Sequence, residues 1–256
     1  LPLPAALPTY APEELVDRTL GDYRIEAYLG ESETGNVYRA RHLLHDQPAY
    51  ALKVIPAALA QDPSFWKGFN QLETRIGALR HPHIVDVAEI GMRDGLCYLV
   101  TEWLPDGTLR NLLQRRANPD APWSLALALD LVRQAAEALD FAHAQGFVHG
   151  SVKPSDLVLI KQRAGFRYSV KLADFGLAWL AIHSETAAEA VWADSLIYAM
   201  APERCQGLDV DGRADLYALG VILYEIATGS PPFAAQTLDA AVYRHVYTPP
   251  TPPRQL

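Results

Sequence analysis

Lys53 lies in an otherwise apolar run, Ala51-Leu52-Lys53-Val54-Ile55, where a buried ammonium group is costly unless a partner meets its charge. Upstream, Gly30-Glu31-Ser32-Glu33-Thr34-Gly35 has the make-up of a tight loop. Glycine in such a loop lets backbone N–H groups approach a phosphate with no side chain in the way, and Ser32 tolerates that less well. Glu31 and Glu33 would set negative charge beside any such anion, and a plain β-hairpin turn has the same composition. A third stretch, Val148-His149-Gly150-Ser151-Val152-Lys153-Pro154-Ser155-Asp156, gathers several polar groups. The Ser151 hydroxyl cannot take a proton at neutral pH unless another base activates it, whereas the Asp156 carboxylate can ligate a cation.

The elements that must position these groups follow from periodicity. Tyr23–Leu29, Asn36–Arg41 and Ala49–Ile55 read as short strands separated by glycine or polar turns. Pro63–Leu79 has apolar residues at helical spacing, with Pro63 suited to a first turn. Ile84–Ile90 and Leu96–Glu102 read as two further strands around Arg93-Asp94-Gly95. From Thr108 onward helices dominate. Ser124 is a fitting N-cap for a helix to Gln145, Gly146 is a fitting stop, and the apolar stripe reads Leu125, Leu129, Val132, Ala136, Leu139 and Ala142. Asp215–Thr228 is apolar nearly all round and belongs inside its lobe.

Composition narrows the function classes. The net charge of -8, with no basic block, disfavours nucleic acid and anionic membrane as partners. Cys97 and Cys205 have no metal-site or redox-motif spacing, so they read as free thiols of a reducing compartment, one of them in a core strand. No apolar run is long enough to span a bilayer, and a cytoplasmic location is expected. Leu1–Pro12 carries four prolines and no charge, and Thr248–Leu256 is again proline-rich; both ends read as linkers.

Lys171-Leu172-Ala173-Asp174-Phe175-Gly176-Leu177-Ala178, following the loop at His149, resembles the Asp-Phe-Gly motif of protein kinases. The loop itself resembles their catalytic loop, Ala51–Ile55 their Val-Ala-Ile-Lys strand, and Leu29–Ala40 their Gly-rich loop. Ala201-Pro202-Glu203 resembles the Ala-Pro-Glu close of the activation segment. Asp215–Gly229 with Pro231-Pro232-Phe233 resembles the family's central helix and following loop. Arg244-His245-Val246-Tyr247 before a proline run is similar to the bacterial serine/threonine kinases.

The resemblance implies an α+β, two-lobed protein-kinase-like fold with a small β-rich N-lobe and a mainly helical C-lobe that stops short of the family's later helices. The implied divisions are a linker over 1–21, an N-lobe over 22–104, a C-lobe over 105–247 and a tail over 248–256. It implies a nucleotide site: Gly30, Ser32 and Gly35 at the phosphates; Val37, Ala51 and Val158 around adenine; Lys53 on the α- and β-phosphates; the backbone of Glu102 and Leu104 at the hinge; and Thr101 as gatekeeper. ATP and Mg²⁺ are the implied ligands, with Asp156 and Asp174 as metal ligands. His149, Phe175, Ile76 and Val87 would stack as an internal column.

The departures set the functional expectation. Ser151 occupies the catalytic aspartate's position while Lys153 is retained, and Gly150 replaces the arginine that pairs with a phosphorylated segment. Phosphate on Ser184, Thr186 or Ser195 would lack that partner. A gapless count places the lysine's usual glutamate partner at Leu72, with Glu73 about 100° away around the helix. Sequence alone therefore favours a pseudokinase, a signalling or scaffold module that presents its surface to a protein partner and binds ATP weakly. The alternatives are a protein serine/threonine kinase, active or weakly active, and another nucleotide-dependent transfer on the same fold.

Overall fold

The computed structural model describes residues 10–32, 34–45, 49–115, 124–162, 168–177, 180 and 196–255. They fall into two compact units, one holding 1–80, 85–104 and 180–191, the other 81–84, 105–179 and 192–256.

The first unit is built on six antiparallel strands in the order β1-β2-β3-β4-β6-β5. They are β1 (Thr19–Leu20), β2 (Tyr23–Ser32), β3 (Gly35–His42), β4 (Tyr50–Val54), β5 (Val87–Arg93) and β6 (Leu96–Glu102). Alternation sends Tyr38 and Ala40 of β3, Leu52 of β4 and Val100 of β6 into one core, all fully buried. The opposite face carries Val37, Ala51, Lys53 and Thr101, because the register pairs Val37 with Lys53 and Ala51 with Thr101. Leu15 and Leu20 also enter that core, so the 3-10 turn Pro12–Leu15 and β1 are packed structure within 1–21, the division expected as a linker. Cys97 is fully buried on β6, and burial pushes its thiol up to about 11.

Between β4 and β5 lie α1 (Ala57–Ala60) and α2 (Pro63–Arg75). Asp62 caps α2 by accepting from Ser64 N and Phe65 N, each at 2.9 Å, and Pro63 needs no partner at the first position. The helix is shorter than its apolar spacing predicts: it gives way at Ile76–Ala78 to a 3-10 turn, where Gly77 is a weak helix former. The strand expected from Ile84 begins only at Val87. Ile84 instead bridges to Leu172 in the second unit, where Leu172 N donates to His83 O at 2.8 Å.

The second unit comprises α3 (Leu109–Gln114), α4 (Leu125–Ala144), the hairpin β7 (Leu157–Lys161) and β8 (Tyr168–Leu172), then α5 (Leu196–Ala199), α6 (Pro202–Cys205), α7 (Gly212–Thr228) and α8 (Leu238–Tyr247). Ser124 caps α4, and Gly146 leaves it in the left-handed region at φ +73°, as the sequence predicts. The stripe is corrected. Leu125 and Leu129 are exposed, and the buried face runs through Ala128, Leu131, Ala135, Ala138, Leu139 and Ala142. Alanines on that face let α4 lie close to α7 and β8. Gln134, buried among them, accepts from Val170 N at 2.8 Å and donates to Tyr168 O at 3.1 Å, which fixes the hairpin to the helix. Eight of the 17 residues of α7 are buried, and Leu216 is exposed. Among the described residues no helix is long and apolar enough to cross a membrane.

Candidate functional site

In the first unit, β2 and β3 form a hairpin in which Ser32 pairs with Gly35 and the Ser32 hydroxyl donates to Gly35 O at 2.8 Å. Gly35 has φ +143°, and a Cβ placed there would sit 2.0 Å from the Val54 carbonyl oxygen. Its glycine is required by the close approach of the hairpin to β4. Gly30, at φ +144°, has open space around it. Thr34 is buried and receives a hydrogen bond from Lys53 Nζ at 3.0 Å; Lys53 itself is only 7% exposed. The charge that sequence reasoning found costly to bury thus meets a threonine hydroxyl. On α2, Leu72 is buried and Glu73 exposed, as the 100° offset between them requires. At the end of β6 the Glu102 N–H donates to Asp86 O at 3.0 Å, so the group Glu102 could offer a purine is its carbonyl.

In the second unit the antiparallel hairpin does the assembling. Leu157 pairs with Leu172, so the residues before β7 and after β8 emerge at the same end. Ala173 N donates to Asp156 O at 2.9 Å, which sets Asp174 beside Asp156 along the backbone. The Asp156 carboxylate, 3% exposed, lies 3.3 Å from Lys153 Nζ and accepts from Lys153 N at 3.2 Å. Asp174 is held at φ +62°, a left-handed conformation that aspartate tolerates better than most residues. Val158 follows on β7, opposite Lys171.

His149 is fully buried. Its Nδ1 accepts from Ser151 N at 3.4 Å, so Nε2 carries the proton and donates to Ala173 O at 2.8 Å. The ring lies against Phe175, centroids 4.9 Å apart. Both nitrogens therefore serve the loop's own geometry. Asp215, buried on α7, accepts from His149 N at 2.9 Å and Gly150 N at 2.8 Å. His143 Nε2 lies 2.8 Å from the same carboxylate, and that hydrogen bond holds the imidazole above its ordinary pKa. Arg204 Nη1 donates to the Gly150 carbonyl. Glu225, also buried on α7, accepts from Arg110 at 2.9 Å and from the Tyr198 hydroxyl.

Thr34, Arg204 and the Glu225 cluster escaped the sequence reading. Each works through a contact far along the chain; only the buried carboxylates of an apolar helix, Asp215 and Glu225, leave a sequence signal. Ser184, Thr186 and Ser195 lie outside the described residues.

The Protein kinase domain family model matches residues 23–249. The chain belongs to the protein kinase family. Among curated relatives of this kinase domain, serine/threonine-protein kinase PknB of Mycobacterium leprae is 34% identical over 249 residues, covering 95% of this chain and 38% of the relative. PknB of Mycolicibacterium smegmatis is 36% identical over 248 residues, covering 94% and 37%. Among solved structures, the PknI kinase domain of Mycobacterium tuberculosis superposes with a TM-score of 0.70 at 28% identity, covering 91% of each chain. The chain thus spans little more than a third of those curated relatives, and its fold is the kinase fold.

These relatives are named as serine/threonine-protein kinases, which overturns the expectation of a pseudokinase and favours its alternative, an active kinase. The physical reason lies in the weight given to one vacancy. Phosphoryl transfer passes through a loose transition state in which positioning and charge stabilisation do most of the catalysis. Loss of a general base costs a factor of roughly 10²–10⁴, against total accelerations many orders larger.

Proposed function

We propose that this chain is a protein serine/threonine kinase domain that transfers the γ-phosphoryl group of ATP to a protein hydroxyl. The observation that carries the reading is the hairpin-built pair of Asp156, on the loop that also holds Lys153, and Asp174, just after β8. Among the described residues no three His, Cys, Asp or Glu side chains gather as a metal cluster. Mg²⁺ in nucleotide complexes needs only one or two carboxylates beside the phosphates, so this pair of hard oxygen donors fits it. When bound, Mg²⁺ supplies charge that neutralises the phosphate oxygens.

The chain's own residues would do the rest. Lys53 presents an ammonium group for the α- and β-phosphates, and Val37, Ala51 and Thr101 share its sheet face as a bed for adenine. The Glu102 carbonyl and the Leu104 backbone would meet the purine edge, and Gly30, Ser32 and Gly35 shape the loop over the phosphates. Lys153 steadies the Asp156 carboxylate and adds positive charge on the loop. The acceptor hydroxyl oxygen bonds to the γ-phosphorus as the bond to the β,γ-bridging oxygen breaks. ADP departs, and the hydroxyl proton passes to solvent. The Ser151 hydroxyl can hold the acceptor by a hydrogen bond. The protein substrate is the partner class, and a reducing, ATP-rich cytoplasm is the compartment in which this chemistry operates.

The test is ADP release and phosphopeptide formation from ATP-Mg²⁺ with a mixed serine/threonine peptide pool. Wild-type turnover that disappears in both Lys53→Ala and Asp174→Ala supports the reading. Wild-type turnover no greater than that of the two variants refutes it.

A further inference from the structure

We propose that Arg204 is the positioning residue of the loop that carries Ser151, supplying from the end of the activation segment the guanidinium that position 150 lacks. The inference rests on the kinase reading for its catalytic consequence, but its structural core stands on contacts within the second unit. Gly150 has no side chain and sits at φ +80°. Its N–H is fixed by Asp215 Oδ1 at 2.8 Å, and its carbonyl accepts from Arg204 Nη1. That carbonyl belongs to the peptide joining Gly150 to Ser151. The two bonds therefore fix the peptide planes on either side of Gly150, the second being the plane from which the Ser151 residue departs. Removing either leaves a glycine free to rotate where the loop needs a single direction.

The surroundings suit a guanidinium arriving from outside the loop. Gly150, Ser151 and Arg204 line one cavity with Ala199, Ala201 and Ala214. Small side chains leave room for the planar head of Arg204, and an arginine at position 150 would have to share that space with it. The residue comes from α6, a turn closed on itself by Cys205 N and Gln206 N donating to Ala201 O and Pro202 O at 3.1 Å each. Arginine is suited to such a tie because it is charged at all physiological pH and its donors form a rigid fork. The tie runs directly from a guanidinium to a backbone carbonyl, so on this proposal loop order does not wait on a phosphate.

The experiment compares wild type with Arg204→Met, which keeps an apolar stem, and Arg204→Lys, which keeps a charged donor. Two readouts are taken: steady-state kinetics, and amide hydrogen exchange resolved over 149–152 and over α4 and α7. Arg204→Met is expected to lower kcat by about ten-fold, since misplacement by an ångström costs rates of that order or more. KM for ATP should stay within about two-fold, since a positioning role acts on the transition state. Exchange should quicken over 149–152 and not in α4 or α7, and Arg204→Lys should recover part of both effects. Unchanged exchange over 149–152 in Arg204→Met overturns the proposal, as does a rise spread equally through α4 and α7 or a lysine variant indistinguishable from the methionine one. If the wild type transfers no phosphate, the kinase reading fails while the exchange experiment still decides the role of Arg204.

Discussion

Replacing Asp215 with asparagine probes a carboxylate shared by three donors of the second unit. One oxygen, Oδ2, takes the His149 N–H at 2.9 Å and faces His143 Nε2 at 2.8 Å; the other, Oδ1, takes the Gly150 N–H at 2.8 Å. Asparagine keeps the shape but only one acceptor, so its NH₂ must oppose one of the two backbone donors. A hydrogen bond to a charged group contributes about 1.5–3 kcal/mol, and stranding a buried donor costs a similar amount. With Asp215 only 1% exposed, water cannot step in, and a loss of roughly 3 kcal/mol is expected. For a chain of this size each kcal/mol shifts the melting temperature by about 2–4 °C, which gives a fall of roughly 6–12 °C. Thermal unfolding at pH 7 measures it, and exchange at 149 and 150 locates it. A variant that melts within about 2 °C of the wild type would refute the reasoning, because the carboxylate would then not be organising the loop.

Three further outcomes follow from single contacts. Gly35→Ala should destabilise by about 3 kcal/mol or more in urea unfolding, because its Cβ would enter the Val54 carbonyl at φ +143°, whereas Gly30→Ala, with open space, should cost about 1–2 kcal/mol from backbone strain alone. Thr34→Val removes an acceptor from Lys53 and should cost about 1–2 kcal/mol, while Thr34→Ser stays near wild type; equal stability of all three would dissociate Thr34 from Lys53. The hydrogen bond from Asp215 raises the His143 pKa, aided by the charges of Asp215, Asp140 and Asp211 and opposed by desolvation. A raised histidine pKa gives stability that is full below the unfolded value of 6.5 and lost as pH climbs through the folded one. Chemical denaturation between pH 6 and 9 should therefore show a decline that flattens in His143→Gln.

What the sequence made legible is what depends on local pattern. The strands that carry Val37, Ala51, Lys53 and Thr101 follow from alternation, and their register puts the four on one face; the helical offset separates Leu72, buried, from Glu73, exposed. The α4 stripe failed because Ala128, Ala135, Ala138 and Ala142 are small enough to make the buried face, and alanine carries little hydrophobic signal. The start of β5 failed because residues 83–84 are drawn to β8 by non-local pairing. Thr34 was unreadable for a similar reason: its partner is 19 residues away, across a hairpin whose tip looks like any polar turn. The serine at position 151 was read correctly as a residue and weighed too heavily as an argument.

The backbone itself supports that correction. Gly150, Asp174 and Gly176 all lie at positive φ, at +80°, +62° and +76°, on the loop ends that carry the candidate groups. Two of these are glycines, for which the conformation is easy, but Asp174 is not, and it follows a strand rather than closing a tight hairpin. A non-glycine residue held in the left-handed region costs on the order of 1 kcal/mol and persists only where its surroundings over-determine it. They do so here: His149 holds the Ala173 carbonyl, Asp156 O holds the Ala173 N–H, and Phe175 is buried on the other side. Buried Asp215 fixes the neighbouring loop in the same way, through two of its backbone N–H groups. On the proposed kinase reading, this strained backbone is what would aim the Asp174 carboxylate at a phosphate-bound cation.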